Sequence, residues 1–293
     1  MVPLPSRGTV LRSLLKDPEI LIAPGAHNAF TAKIIEQAGF QAVYMTGSGA
    51  SMDLLGLPDL GFLTMTEMVT HARNIVEATR LPVIADADTG YGNALNVMRT
   101  VREYEGTGVA ALHIEDQVAP KRCGHFAGKE VISREEMIGK IKAALDARRD
   151  SSLMIIARTD ARAVLGLKEA IERGVAYSEA GADLIFVDAP ESAEELRSIA
   201  RSIPAPVMAN MSEGGKTPLL SARELRDMGY RLVIYPGSAA RAAAKTIQEL
   251  MAVLMRDGTT KNFLDRMVSF EGRNQINGLA SFRELEKKYL GKG

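Results

Sequence analysis

Short runs of almost wholly apolar residues recur along the chain. Eight stand out, at residues 20–23, 42–45, 83–85, 110–114, 154–157, 184–187, 207–209 and 232–235. A run of that length without polar alternation is the pattern of a strand covered on both faces, as in a parallel sheet. Between the runs the apolar positions switch to helical spacing. Thr64-x-x-Glu67, Ser133-x-x-Glu136, Ser192-x-x-Glu195 and Ser221-x-x-Glu224 read as capping boxes at helix starts. Gly39, Gly108, Gly181 and Gly229 each close a helical stretch just ahead of a strand, the usual place for a left-handed residue. Eight strand–helix repeats predict an α/β fold, a (β/α)8 barrel of the TIM type. A doubly wound open sheet is the structural alternative, but no glycine-rich fingerprint follows the first strand.

The chain continues well past the eighth run. Residues 239–256 predict a long helix with one apolar face, and 262–267 and 281–289 predict shorter ones, the last with a Ser281-x-x-Glu284 box. A barrel needs only one helix there, so the surplus must pack on the barrel floor or on a neighbouring subunit. No Gly-, Ser- or Pro-rich linker interrupts the sequence. The expectation is one domain over 1–293, with a C-terminal helical extension over about 239–293. The alanine and leucine content of 239–256 points to a symmetric oligomer of paired subunits, most simply a tetramer.

Composition narrows the partners. Of 293 residues, 36 are basic and 36 acidic, so neither a nucleic acid nor an anionic membrane surface is indicated. No run approaches the roughly 18 apolar residues of a membrane span. The first residues carry prolines and arginines where a signal peptide needs an apolar stretch, and the single cysteine makes no internal disulfide. A cytoplasmic protein acting on a small molecule is expected.

In a barrel enzyme the site lies at the C-terminal ends of the strands, so the first polar residue after each run is informative. The second run ends in Thr46-Gly47-Ser48-Gly49, the third in Asp86-Ala87-Asp88 and the fourth in Glu115-Asp116. The fifth gives Arg158-Thr159-Asp160, the sixth Asp188, the seventh Asn210 and the eighth Tyr235. Asp86, Asp88 and Glu115 would repel one another unless a cation sits between them, and few carboxylates plus water suit Mg²⁺, with Mn²⁺ as a substitute. Each acidic residue taken singly reads equally well as a helix cap. Thr46 to Gly49 offers hydroxyls and N–H groups to a carboxylate or phosphate, or is a plain tight turn. Arg158 would fork a substrate carboxylate or stabilise an enolate oxygen, or pair structurally with Asp160 or Asp188. His113, inside an apolar run, reads as a core residue with at most an indirect role. Asn210 would hydrogen-bond substrate or cap its loop.

The single cysteine lies in Lys121-Arg122-Cys123-Gly124-His125. Lys121 and Arg122 would lower the thiol pKa, and Gly124 and Gly128 would let the loop move. The plain reading is a small buried cysteine beside a basic turn.

At these residues the sequence resembles the isocitrate lyase and phosphoenolpyruvate mutase superfamily, from about residue 24 to the C-terminus. Lys121-Arg122-Cys123-Gly124-His125 matches the signature loop of its carbon–carbon lyases, a motif that the phosphonomutase branch lacks. Asp86-x-Asp88-x-Gly90-Tyr91-Gly92 and His113-Ile114-Glu115-Asp116-Gln117 match its metal segments, and Leu57-Pro58-Asp59 its segment with an active-site aspartate. The resemblance implies a tetramer with C-terminal helices exchanged between paired subunits. It implies Mg²⁺ on Asp86 directly and on Asp88 and Glu115 through water. The ligand carboxylate would sit on Thr46, Gly47 and Ser48 beside Tyr44, with Arg158 polarising the developing oxygen. Cys123 would protonate the departing carbanion, and Gly124, His125 and Asn210 would hold that half's carboxylate. Lys121 and Asp59 would complete the catalytic set.

Residues 210–218 are similar to the dimethylmalate-lyase branch, with Gly214-Gly215 where methylisocitrate lyases have Phe-Gly. Two positions depart from the lyase pattern, Phe126 after the signature loop and Asp188 in place of a glutamate. The implied activity is retro-aldol cleavage of a 2-hydroxy di- or tricarboxylate to pyruvate or another 2-oxo acid. Oxaloacetate hydrolysis is the alternative within the superfamily. A phosphonomutase-like enzyme or an oxo-acid-binding protein is the more distant one.

Overall fold

The computed structural model describes residues 5–124, 126 and 128–291. Eight parallel strands close into a barrel in sequence order. They are β1 (Leu21–Ala26), β2 (Val43–Met45), β3 (Val83–Asp86), β4 (Ala111–Glu115), β5 (Met154–Thr159), β6 (Leu184–Val187), β7 (Val207–Asn210) and β8 (Leu232–Tyr235). β8 pairs back onto β1, setting Leu21 beside Leu232 and Ala23 beside Ile234. All eight expected strands form. Four of them run past the apolar stretch at the C-terminal end and take in polar residues. β3 gains Asp86, β4 Glu115, β5 Arg158 and Thr159, and β7 Asn210.

That overrun positions the site. Side chains alternate between the faces of a strand. Ile84, Ala111, Met154, Ile156, Leu184, Phe186, Met208, Leu232 and Ile234 fill the barrel interior together. Two residues past Ile84, Ile156, Phe186 and Met208 come Asp86, Arg158, Asp188 and Asn210, and on β4 Glu115 follows Ala111 by four, with His113 between. The rows that build the dry interior therefore end in charged and polar groups at one mouth. The other mouth is stopped by α1 (Arg7–Leu14), whose Leu11, with the following Leu15, packs into the same interior cluster.

The outer ring follows in chain order. It contains α2 (Ala29–Gln37), α3 (Gly47–Leu55), α4 (Met65–Ala78), α5 (Ala94–Glu105), α6 (Arg134–Ala147), the short α7 (Ala161–Leu165), α8 (Leu167–Glu179), α9 (Ala193–Ser202) and α10 (Ala222–Met228). Thr64 and Ser221 form full capping boxes, each typically worth about 1 kcal/mol. Ser133 and Ser192 cap with the hydroxyl, and Glu195 turns instead to Arg162 and the Glu191 N–H. Gly39, Gly108, Gly181 and Gly229 all carry the positive φ that their position requires.

After the barrel come α11 (Ser238–Asp257), a 3-10 turn (Lys261–Arg266), α12 (Phe270–Asn277) and α13 (Leu279–Leu290). The Ser281 box is a correction. The last helix starts two residues earlier, so Ser281 lies in its first turn and donates to the Gly278 carbonyl. α12 packs on α2, and α13 on α12. Met255, Phe270, Phe282, Tyr289 and Leu290 on this extension are exposed.

Candidate active site

The open mouth holds a cavity of about 350 Å³. Its walls include Tyr44, Thr46, Ser48, Asp59, Asp86, Cys123, Gly124, Arg158, Asp188 and Asn210, and its outer rim Glu213 and Arg241. Most of the sequence-predicted residues thus meet in one place. Gly47 lies behind the wall, against Asp86. Asp88, Glu115 and Lys121 form the buried floor beneath it. His125 lies outside the described residues.

The floor is a carboxylate cluster. Asp86 accepts from the Gly47 N–H at 3.1 Å and the Asp88 N–H at 2.9 Å. The Tyr104 hydroxyl holds the Asp86 carbonyl at 2.9 Å. Burial would raise the Asp86 carboxyl, but the surrounding cations and the Asp88 N–H outweigh it and leave it at about 2. Burial, with the charge of Asp86, lifts Asp88 to about 6 despite Lys121. Burial also raises Glu115 well above the ordinary range, reinforced by Asp160 and Asp86. Neither carboxylate oxygen of Glu115 receives a hydrogen bond, although Arg158 Nε lies 3.2 Å away as a charge contact. Among the described residues no three His, Cys, Asp or Glu side chains converge into a ready-made metal cage.

The Lys121 ammonium lies in the floor, at 2.7 Å from Asp59 and 2.8 Å from Asp88. Burial would lower its pKa, but the carboxylates around it hold it protonated. The Arg122 side chain is exposed. Its backbone is clamped in both directions by Gln117, whose Nε2 donates to the Arg122 carbonyl at 2.8 Å and whose Oε1 accepts from the Arg122 N–H at 2.9 Å. The turn at Thr46 is likewise committed, because Thr46 caps α3 and Gly47 donates to Asp86. Ser48 is left exposed to the cavity.

Arg158 satisfies both structural alternatives at once. It reaches Asp160 at 2.9 Å and Asp188 at 3.1 Å, and its guanidinium lies over the Phe186 ring at 5.0 Å. Asp116 holds the end of β5 from behind, accepting from the Asp160 N–H, the Thr159 hydroxyl, Arg173 and the Tyr177 hydroxyl. Asn210 donates to Asp188 at 3.1 Å, while its own oxygen is buried without a partner. His113 sits beneath in the barrel, stacked on Tyr44 and 2.7 Å from its hydroxyl. Burial pushes this imidazole down to about 4, so it is neutral.

Cys123 is partly buried at the lip, its N–H donating to the Asp59 carbonyl at 3.1 Å. Gly124 sits against the inner groups. A Cβ at that position would lie 1.7 Å from Asp188 Oδ2 and 2.6 Å from Arg158 Nη2. Sequence reasoning missed Gln117 as a clamp, and it missed Lys129. Lys129 is buried, pairs with Asp160 at 2.9 Å and donates to the Gly124 carbonyl. The one available signal was a lysine just after the Gly128 turn, and alone that reads as a solvated loop.

The sequence matches the family described as phosphoenolpyruvate phosphomutase over residues 11–255. It is 55% identical to 2,3-dimethylmalate lyase of Eubacterium barkeri, over 95% of this chain and 96% of that one. It is 46% identical to a 2-methylisocitrate lyase of Aeropyrum pernix, over 98% and 91%. A crystal structure of 2,3-dimethylmalate lyase superposes with a TM-score of 0.92 at 38% identity, covering 98% of this chain and 96% of that one. Oxaloacetate acetylhydrolase with 3,3-difluorooxalacetate gives 0.93 at 34%, covering 98% of each. Phosphonopyruvate hydrolase with oxalate and Mg²⁺ gives 0.89 at 33%, covering 98% of this chain and all of that one.

Proposed function

The chain belongs to the phosphoenolpyruvate phosphomutase family, and from that membership we propose that it is a Mg²⁺-dependent carbon–carbon lyase. Its substrate is a 2-hydroxy di- or tricarboxylate of the 2,3-dimethylmalate or 2-methylisocitrate kind. Cleavage gives pyruvate or a related 2-oxo acid and a second carboxylate such as propionate or succinate. One observation carries this reading. A cysteine lies at the lip of a cavity whose inner wall is an arginine and whose floor is a carboxylate cluster. The lyase relatives, similar over nearly the whole chain, support the same activity.

The floor suits a hard divalent ion. Glu115 keeps two buried oxygens without hydrogen bonds, and every donor in the cluster is a carboxylate. Asp86 would hold the ion directly and Asp88 and Glu115 through water. An ion that retains water needs no closed protein cage, in keeping with three carboxylates that do not converge. When bound, the ion lowers the pKa of the substrate hydroxyl and stabilises the oxo product. Arg158, fixed by Asp160 and Asp188, presents its charge to the oxygen that turns into the oxo group. Thr46, Ser48 and Tyr44 line the wall for the oxo-acid carboxylate. Asn210 offers a side chain to the departing half, as do Gly124 and, by resemblance, His125. Cys123 gives its proton to the departing carbon. Lys121 keeps Asp59 and Asp88 paired beneath.

The exposed apolar residues of α11 to α13 support a symmetric oligomer, a homotetramer with these helices exchanged between subunits. No helix among the described residues is long and apolar enough to cross a membrane, and a cytoplasmic location accords with the lyase relatives. A second reading, oxaloacetate hydrolysis to oxalate and acetate, draws on the structural match to oxaloacetate acetylhydrolase. Incubation with Mg²⁺ and a panel of acids separates them. Pyruvate released from a 2-hydroxy acid supports the lyase, and oxalate from oxaloacetate the hydrolase. Binding without turnover of any acid rejects both.

A further inference from the structure

One buried cation beside the site has no place in the chemistry just described. Lys129 is 8% exposed and belongs to the segment that returns from the cysteine loop to α6. Its ammonium makes two contacts. One is Asp160 Oδ1 at 2.9 Å, and the other is the carbonyl oxygen of Gly124. The same Asp160 oxygen accepts from Arg158 Nη2 at 3.2 Å, while Oδ2 accepts from Arg158 Nε at 2.9 Å. Burial would raise the Asp160 carboxyl, but Arg158 and Lys129 together hold it well below the ordinary range, so it is ionised. A single ammonium thus ties the backbone next to Cys123 to the carboxylate that aims Arg158.

We propose that Lys129 is a positioning residue that fixes the Cys123–Gly124 backbone against Arg158 and Asp188, setting the proton donor in register with the inner arginine. Several hydrogen bonds hold this stretch, among them Phe126 N–H to the Cys123 carbonyl at 2.8 Å. Gln117 clamps Arg122, the Asp59 carbonyl accepts from the Cys123 N–H, and Lys129 holds the Gly124 carbonyl. The Gln117 and Asp59 contacts act upstream of the thiol or at its own N–H. Lys129 acts on the downstream side, and among these contacts it is the one anchored to the Arg158 network. Gly124 approaches that network so closely that no side chain fits between them. Loss of the Lys129 contact frees the Gly124 carbonyl from Asp160 and lets the peptide back away from Arg158 and Asp188.

The proposal rests on the lyase reading for its catalytic consequence, so the test needs a measurement that does not depend on turnover. Iodoacetamide labelling of Cys123 is followed in the presence of Mg²⁺ and pyruvate, alongside kcat and KM for pyruvate release. In Lys129→Met the labelling should quicken by roughly tenfold and kcat should fall by a similar factor, while KM changes by less than about threefold. Lys129→Arg, which keeps a cation within reach of both oxygens, should recover most of each loss. If Lys129→Met does not fold, Lys129→Gln carries the same expectation, since it keeps a donor but gives up the charge on Asp160. Labelling and kcat at native values in the folded variant would overturn the proposal. A chain that cleaves no 2-hydroxy acid yet labels faster without Lys129 would sink the lyase reading and leave this one standing.

Discussion

Gly124→Ala tests the site with a single methyl group. The φ of Gly124 is not in the left-handed region, so alanine can adopt its backbone without strain. The added Cβ would nevertheless stand 1.7 Å from Asp188 Oδ2. Relief to 3.0 Å, the shortest separation that real contacts show, demands a shift of about 1.3 Å. Asp188 cannot supply it, because Arg158 and Asn210 each hold it at 3.1 Å. The backbone carrying Cys123 must therefore withdraw. Misplacing a reacting group by about 1 Å costs about 10²-fold in rate, which corresponds to about 2.7 kcal/mol in the barrier. The change lies in a loop, so Tm should move by no more than about 2 °C. Initial rates of pyruvate release from 2,3-dimethylmalate, with a melting curve on the same sample, measure both. A variant within about threefold of native kcat would refute the close approach of Gly124 to the inner groups during cleavage.

Three further outcomes are expected. Cys123→Ser should bind pyruvate with Mg²⁺ almost normally and lose cleavage by roughly 10²-fold, the scale of a missing acid catalyst; a native rate would reduce the cysteine to packing. Asp86→Ala should be folded and inactive, and excess EDTA should silence the native enzyme, so activity in either case counts against the ion. Arg173→Met should lower stability by about 3–5 kcal/mol in urea unfolding, because it leaves Asp116 buried without its 2.9 Å partner; a loss under about 1 kcal/mol would show that the Tyr177 and Thr159 hydroxyls suffice.

The barrel was legible because its strands are covered on both faces, and such strands write themselves as unbroken apolar runs. What ended each run was legible too. Asp86, Glu115, Arg158 and Asn210 stand out in the sequence as the first polar residues after apolar ones, and the ladder carries them to one mouth. The partners of these residues were not legible. For Arg158 the sequence leaves open a substrate oxygen or an ion pair with Asp160 or Asp188, and the residue pairs with both carboxylates. Nothing local to Lys121 announces its pairing with both Asp59 and Asp88 in the floor. Pairing of that kind is set by tertiary packing, and neighbours in sequence say little about it. Lys129 was passed over for the same reason, since nothing local separates a buried cation from a solvated one. α12 escaped notice because Gly272, Asn274 and Asn277 are poor helix formers, and its packing on α2 overrides that preference.

The seam between β1 and β8 has a consequence for how the enzyme comes to be. It joins Leu21 to Leu232, the two ends of the ring, whereas the polar groups named at the inner mouth stand on or just after β2 to β7. Curvature decides whether those groups face a common centre, and curvature is imposed by a pairing to which none of them belongs. Neighbouring strand–helix units can assemble early from contacts close in sequence, but the seam is the most distant pairing in the ring and its search is slow. Entropy hardly forbids it, since each doubling of a closed loop adds only about 0.6 kcal/mol. In refolding, the helical signal should therefore return first and catalytic competence should arrive later, as a kinetic report on ring closure.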